Sequence, residues 1–591
     1  MAHITIKLRP GVNTQYSAIL AEAQVVISQL IRWRDGLLQK VGGWMAAAVT
    51  TFLGVCRGMH SWEQLNGLLD MGIGTHLKLF LFQGGAYFDL TPVRASGTLG
   101  NNPFTTTNTS NLVSVASTAH GLSVNDFVEL AGATTFNNVT MNGEFQVVSV
   151  TDANNYVIQS ATVANASGAG GGNAVTFSYL LPVGLKDTAF VASTGFGAGG
   201  FGSGPFGGTA GIAQLCRVWF IDNWGEFMLA CPQNGGIYQW QPSSGTATRA
   251  TALTNAPAFN TCMMVSAATQ QVIAGGSTVG GVQDPMLVAW SDVGNNTVWT
   301  ASATNQAGTF RLTRGSRIVG MVGAGLTNLI WTNEGLWVMQ YIGFPLVYSF
   351  VEVGFNCGLI APKAAASVPN GVYWMDPAFN FWLYNGSTQP VDCWVRDQLF
   401  GNCNLLQVNK IFCAVDSNWN EIWWFYPSLN SVEIDSYVKF NYVENVWDYG
   451  TLQRTAWEPP ITFPYPMATD ANAVLYNHEL GVDNNGAPMD SFAQTGYFAD
   501  REGEEFMEVK RLFPDFKTWV GPLNASVLAI DYPDDNPRTF GPYAMIPGVT
   551  EHVITRVRGR GVALRIESNV LGGNYRWAGL RARTQPAGRR R

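Results

Sequence analysis

Six histidines, at positions 3, 60, 76, 120, 478 and 552, are the side chains best able to move a proton or ligate a metal near neutral pH. His478-Glu479 opens like a zinc-protease helix, but Val482 stands where the second histidine would be needed. Eight cysteines (56, 216, 231, 262, 357, 393, 403, 413) form no Cys-x-x-Cys pair and no Cys/His grouping, so they read as free buried thiols. The glycine run at 195–208, GFGAGGFGSGPFGG, has no lysine and no Gly-Lys-Ser/Thr ending, which excludes a phosphate loop. Phe196, Phe201 and Phe206 recur in it every five residues, as a flexible loop able to act as a gate or an inter-ring contact would need. No cofactor, metal or catalytic motif follows, and the chain reads as a non-enzyme.

Two further patterns carry chemistry of another kind. Trp290-Ser291-Asp292-Val293-Gly294-Asn295-Asn296-Thr297-Val298-Trp299 resembles the Asp-box turn of sialidase-like propellers, with altered spacing: Asp292 follows Ser291 directly, and Val298 separates Thr297 from Trp299. A glycosidase also needs two carboxylates facing across a sugar, and nothing singles out such a pair among 41 acids. Arg556, Arg558 and Arg560 alternate with small or apolar residues, so in a strand their guanidinium groups share one face. That stripe suits a subunit or partner interface, with the acidic run Asp500, Glu502, Glu504, Glu505 and Glu508 as matching charge. DNA backbone contact and simple intramolecular pairing are the alternatives.

The elements that must hold these residues are β-strands. With 591 residues the chain exceeds one ordinary domain, and only 13 % of it is charged against 47 % hydrophobic. Gly 65, Pro 27, Trp 20 and Phe 33 suit short strands and tight turns. A net charge of −7 argues against a protein built to grip nucleic acid. The start of the chain lacks a secretion-signal core, and the longest apolar run, 44–56, falls short of the ~20 residues of a bilayer span. Ile19, Ala23, Val26 and Leu30 fall at helical spacing and predict a short helix over 17–30. Asp35-Gly36 predicts a type I′ hairpin turn between two strands.

Residues 96–180 contain four acids and no Lys or Arg, and read as an inserted β domain, a small barrel or sandwich. From 215 to 457 the chain carries 15 of its tryptophans and repeats strand, turn, strand with Asn234-Gly235, Asn333-Glu334-Gly335, Asp376-Pro377 and Asp416-Ser417-Asn418 at the turns. The fold expected is mainly β, a β-propeller-like body with that inserted domain, although a two-sheet sandwich uses the same hairpins. The division expected is 1–95 as the first part of the body, 96–180 the insert, 181–214 a Gly-rich connection, 215–460 the propeller-like body and 461–591 a β region with a basic end. Ten arginines lie in 551–591.

Several strings together resemble the tail nozzle (tail hub) proteins of short-tailed bacteriophages: Asp35-Gly36 with Lys40-Val41-Gly42-Gly43-Trp44, Tyr87-Phe88-Asp89-Leu90-Thr91-Pro92, Asp284-Pro285-Met286-Leu287-Val288-Ala289-Trp290-Ser291, Gly315-Ser316-Arg317-Ile318-Val319-Gly320, Leu336-Trp337-Val338-Met339-Gln340-Tyr341 and Arg556-Val557-Arg558-Gly559-Arg560. The resemblance spans nearly the whole chain outside 96–180. It implies a structural component of the virion tail, made in the host cytoplasm and assembled as a homohexamer. Its partners would be a portal-adaptor ring above and other tail proteins such as fibres or a needle, with double-stranded DNA in transient passage. The competing expectation is a glycan-binding or glycan-hydrolysing propeller, its exposed tryptophans stacking on sugars.

Overall fold

Strand-forming runs separated by Gly, Asn and Asp turns make, among the described residues, seven four-stranded antiparallel sheets in a ring. The computed structural model describes residues 2–191, 212–499 and 503–588. Blade one is Cys56–Glu63, Leu69–Thr75, Leu79–Gln83 and Ala86–Asp89. Five more blades begin at Trp219–Trp224, Cys262–Ser266, Ile318–Ala324, Ala365–Val368 and Phe412–Asp416. Their first strands stand side by side around the axis, and the first strand of blade seven, Ala456–Glu458, returns against Cys56–Glu63. These seven sheets therefore close into a seven-bladed β-propeller. Its last blade is completed by Trp44–Ala46, pairing with Leu475–His478 in the register His478 to Trp44 and Tyr476 to Ala46. The ring thus draws on 44–46, on 56–89 and on strands up to His478, a wider span than the 215–460 marked by the hairpins.

The hairpins fall where the alternation puts them. Phe227–Pro232 pairs with Tyr238–Trp240, Gly371–Met375 with Phe381–Tyr384, and Phe412–Asp416 with Glu421–Tyr426. Trp219, Trp331, Trp374, Trp423, Trp424 and Trp447 are fully buried, so blade packing uses most of this aromatic content. Where blades one and two meet, Gly58 and Gly74 lie so close to Trp219 that neither has room for a Cβ.

The chain ends build a second body. Ile31–Arg34, Leu37–Lys40, Asn574–Pro586, Met507–Val520 and Val553–Gly559 form one sheet, with Ala2–Ile6 added to Asn574–Pro586. Val25–Gln29, Ser491–Thr495, Gly561–Ser568, Leu523–Ile530 and Arg538–Met545 form the other, with Phe498–Ala499 beside Gly561–Ser568. Val509, Leu512, Val527, Val557, Leu564 and Trp577 bury between them. The helix expected over 17–30 is not formed. Turns fill 18–23, and Val25–Gln29 is a strand paired with Ser491–Thr495. The β-branched run Val25, Val26, Ile27 favours extended backbone, and positive φ at Ala23 and Leu30 (64° and 48°) brackets it. Asp35 and Gly36, with φ of 50° and 71°, make the expected two-residue turn between Ile31–Arg34 and Leu37–Lys40.

Between blades one and two the strands from Val93–Thr98 to Thr176–Leu180 form an eight-stranded sheet folded over its own core of Phe104, Val115, Val128, Val147, Tyr156 and Tyr179. Its first and last strands pair, and Leu181 N donates to Pro92 O (2.8 Å), so the host segment closes directly behind the insert. Two of the four acids of this base-poor segment find cations on the propeller. Glu144 meets Lys78 (2.5 Å) and Arg249 (3.4 Å), and Glu129 meets Arg249 (3.5 Å).

Candidate functional site

The propeller axis gathers charged groups that lie far apart in sequence. His60, on the innermost strand of blade one, places Nδ1 3.7 Å from Glu458 of blade seven and Nε2 3.6 Å from Asp222 of blade two. Burial opposes charging this imidazole, but Glu458 and Asp222 together hold its pKa above the ordinary value. Asn223 Oδ1 lies 2.9 Å from Nε2, and Ser61 donates to Glu458 from both N and Oγ (2.9 and 2.8 Å). The axial cavity in this region has a volume of about 50 Å³ and is lined by Arg57, Met59, Lys363, Lys410 and Trp457, among others. That is space for a few waters, not for a sugar ring.

The cations of this cavity are mostly spent on structure. Arg57 donates from both terminal nitrogens to Glu433 (2.8 and 2.6 Å), and Lys410 pairs with Asp187. Burial lowers the Lys363 pKa against the pull of Glu458 and Asp222, and its ammonium lies 5.2 Å from the Phe220 ring. Other histidines are structural too. His478 accepts from Arg454 Nε (2.7 Å) between the rings of Trp44 and Trp457, and burial with Arg454 pushes its pKa well down. His76 accepts from Val55 N, and burial lowers its pKa to about 4. All eight cysteines are free thiols, six of them buried.

Phe196, Phe201 and Phe206 lie outside the described residues. The stem that leads to them is anchored beside the axial cavity. Ala189–Val191 pairs with Ile212–Gln214; just before it, Thr188 N donates to Gln407 Oε1 (3.0 Å) and Gln407 Nε2 donates back to Thr188 O (2.9 Å). The adjacent Asp187 is the partner of Lys410.

The arginine stripe lies on the terminal sandwich. Along Val553–Gly559 burial alternates strictly, with Ile554, Arg556 and Arg558 outward and Val553, Thr555 and Val557 inward. Arg560 follows the strand and joins Arg558 over the Phe506 ring, at 5.2 and 4.5 Å, while also facing Tyr532 at 5.1 Å. Glu508 is the cross-strand neighbour of Arg558, so this acid does lie beside the stripe, but within the same chain. Asp500 and Glu502 fall outside the described residues, and Glu504 and Glu505 have partners of their own. Arg556 has no hydrogen-bond or ion-pair partner among the described residues and offers its charge outward. The Asp-box-like string forms a turn after Leu287–Trp290. Asp292 Oδ1 accepts from Val293 N (2.9 Å) and Gln306 N (2.7 Å), and the Trp299 indole donates to Asn296 O.

The charge network that sequence reading missed ties the two bodies together. Arg32, fully buried, donates to Glu421 of blade six (3.2 and 3.0 Å) and to Glu479 (2.8 and 2.7 Å). Lys439 adds bonds to Glu421 (3.0 Å) and Ile31 O (2.8 Å) and sits 3.3 Å from Asp448. The only signal was an arginine alternating with buried residues beside Asp35-Gly36.

No protein-family profile matches the chain, and no curated protein sequence does. Among solved structures, the endosialidase of phage phi92 is similar over 66 % of this chain, with 11 % identity and a TM-score of 0.18; the match spans about half, 53 %, of that enzyme. A chain of the mitotic checkpoint complex is similar over 66 % of this chain and 95 % of its own length, with 12 % identity and a TM-score of 0.31. The WD40 propeller domain of Doa1 is similar over 44 % of this chain and 90 % of its own, with 8 % identity and a TM-score of 0.25. The propeller assignment stands on the seven paired sheets themselves.

Proposed function

We propose that this chain is the ring-forming subunit of a virus tail nozzle, a homohexamer docked beneath a portal-adaptor ring that retains packaged DNA and conducts it at infection. The observation that carries the reading is where the resembling strings lie. Lys40-Val41-Gly42-Gly43-Trp44 crosses from the sandwich to the closing strand of blade seven, where Gly42 and Gly43 leave no room for a Cβ against Glu479 and Asp483. Tyr87 to Pro92 ends blade one and leads into the insert, and Gly315 to Gly320 links blades three and four. Arg556 to Arg560 lies on the sandwich face. Asp284 to Ser291 and Leu336 to Tyr341 run into or along strands of blades three and four. The strings thus fall on joints, strands and an outer face of a scaffold, which suits a part whose product is shape.

Charge supports the same reading. A conduit must not hold the duplex it passes, because several phosphate contacts would make salt-sensitive sticking sites, and the chain carries −7 overall. An axial cavity of about 50 Å³ cannot admit a duplex, so this reading requires a lumen formed between copies. Arg556 and Arg558 suit bidentate pairing with carboxylates of a neighbouring copy or of the adaptor.

Electron microscopy of the purified chain tests this directly, with closed rings expected. Arg556→Glu combined with Arg558→Glu is expected to weaken ring formation or adaptor docking; rings and docking left intact would remove the arginine interface. Deletion of 195–208 is expected to let packaged DNA leak, and normal retention would dispose of a gate role for Phe196, Phe201 and Phe206.

A further inference from the structure

A cleft of about 730 Å³ separates the outer edge of blade five from the segment at 13–24. Its size is that of a small-molecule site. The walls are aromatic. Trp382 comes from the strand Phe381–Tyr384, Trp394 lies just beyond the last strand of the blade, and Tyr16, 59 % exposed, faces them from the N-terminal segment. The indoles are held in place without any ligand. Trp382 donates to Asp376 Oδ2 (2.9 Å) and stacks near Trp374, while the Trp394 ring lies against Gly11, where a Cβ would come within 3.0 Å of it. Fixed walls reduce what binding must spend on ordering.

Between the rings lie amide groups with unused hydrogen-bonding capacity. Asn13 is 4 % exposed, and its Oδ1 accepts from Gln15 N and Tyr16 N (2.9 and 3.2 Å), yet its Nδ2 has no acceptor among the described residues. Gln15 donates to Cys393 O and keeps its own Oε1, and Asn380 donates to Asp376 and keeps its Oδ1. The Gln24 amide also lines the cleft and has no side-chain partner among the described residues. Charge is balanced: Asp392 stands with Arg396, whose guanidinium is fastened to the carbonyls of Ala378 and Phe379.

Free donors and free acceptors interleaved beside aromatic walls match a ring bearing hydroxyls. Each hydroxyl both donates and accepts, and the C–H face of such a ring is apolar enough to lie on an indole or phenol. A purely apolar ligand would leave the amides unpaired, and an anion would meet Asp392 with its only cation already engaged. We propose that this cleft is a binding site for a neutral saccharide. The proposal does not depend on the nozzle reading, and a ring-forming chain without sugar affinity, or a sugar-binding monomer, would separate the two.

The test is calorimetric titration of the full chain with neutral tetrasaccharides of glucose, galactose, mannose and N-acetylglucosamine, with sialyllactose as the anionic comparison. At least one neutral sugar is expected to bind saturably and to quench tryptophan fluorescence. Tyr16→Ala and Gln24→Ala, which change side chains outside the core, are each expected to weaken it about tenfold. Trp394→Ala is expected to abolish it, and should that variant fail to fold, the other two decide. No binding by any neutral sugar, equal affinity for sialyllactose, or an affinity that neither Tyr16→Ala nor Gln24→Ala moves would overturn the proposal.

Discussion

Arg32 illustrates what single residues do here and why sequence reading passes them by. Its carboxylate partners Glu421 and Glu479 lie 389 and 447 positions away, so no spacing rule links them. Arg32→Ala would leave Glu479 without its buried counter-charge and Glu421 with Lys439 alone, and is expected to cost about 3–5 kcal/mol in urea unfolding. The same network sets a pH dependence. Burial pushes the Asp448 carboxyl up to about 7, against the pull of Lys439. Between about pH 4, where an unfolded aspartate ionises, and about pH 7, the folded chain keeps a proton the unfolded chain has lost. The contribution of this group to stability therefore falls as pH rises through that window. Asp448→Asn is expected to flatten the slope, read as the difference between urea midpoints at about pH 5 and about pH 7. Local turns are the opposite case: Asp35-Gly36 was legible because two positive φ values are a property of those two residues alone. The outward facing of Arg556 and Arg558 was legible for the same reason, since alternation along one strand decides it, whereas Arg560 lies beyond the strand end.

At the scale of elements, hairpins could be read from the chain because alternation and turn residues are local, but blade closure could not. The strand that completes blade seven, Trp44–Ala46, comes from the other end of the ring and looks in sequence like any short apolar run. Trp44 is 4 % exposed, stacks on His478 and donates from its indole to Asn484 (2.6 Å). Trp44→Ala is expected to destabilise by about 3–5 kcal/mol and to speed amide exchange in Leu475–His478 before the other blades. Uniform loss of protection around the ring would argue that this strand is no latch. Between blades one and two, Gly74→Ala drives a methyl into Trp219 and is expected to cost about 1–3 kcal/mol or more, seen as a lower melting temperature. The false helix over 17–30 shows the limit of periodicity: a stripe at helical spacing was outweighed by three consecutive β-branched residues and a strand partner some 470 residues on. The cleft beside Trp382 and Trp394 was hidden in the same manner, its walls divided between 13–24 and 380–396.

Over the whole molecule, the segments at 2–40 and 491–586 fold together into the sandwich and the stretch between them closes into the propeller, with Arg32 and Lys439 bonding across. That arrangement spends its buried charges on joints, as Arg32, Arg57 and Lys410 do. On the proposed nozzle reading, such a scaffold acquires its function by assembling. The most direct measurement is a cryo-electron microscopy map of the assembled protein. The nozzle account predicts six copies around a lumen wide enough for a duplex, its wall neutral or acidic. A chain that stays monomeric at every concentration, or a ring whose lumen is lined by a continuous belt of arginines, would contradict it.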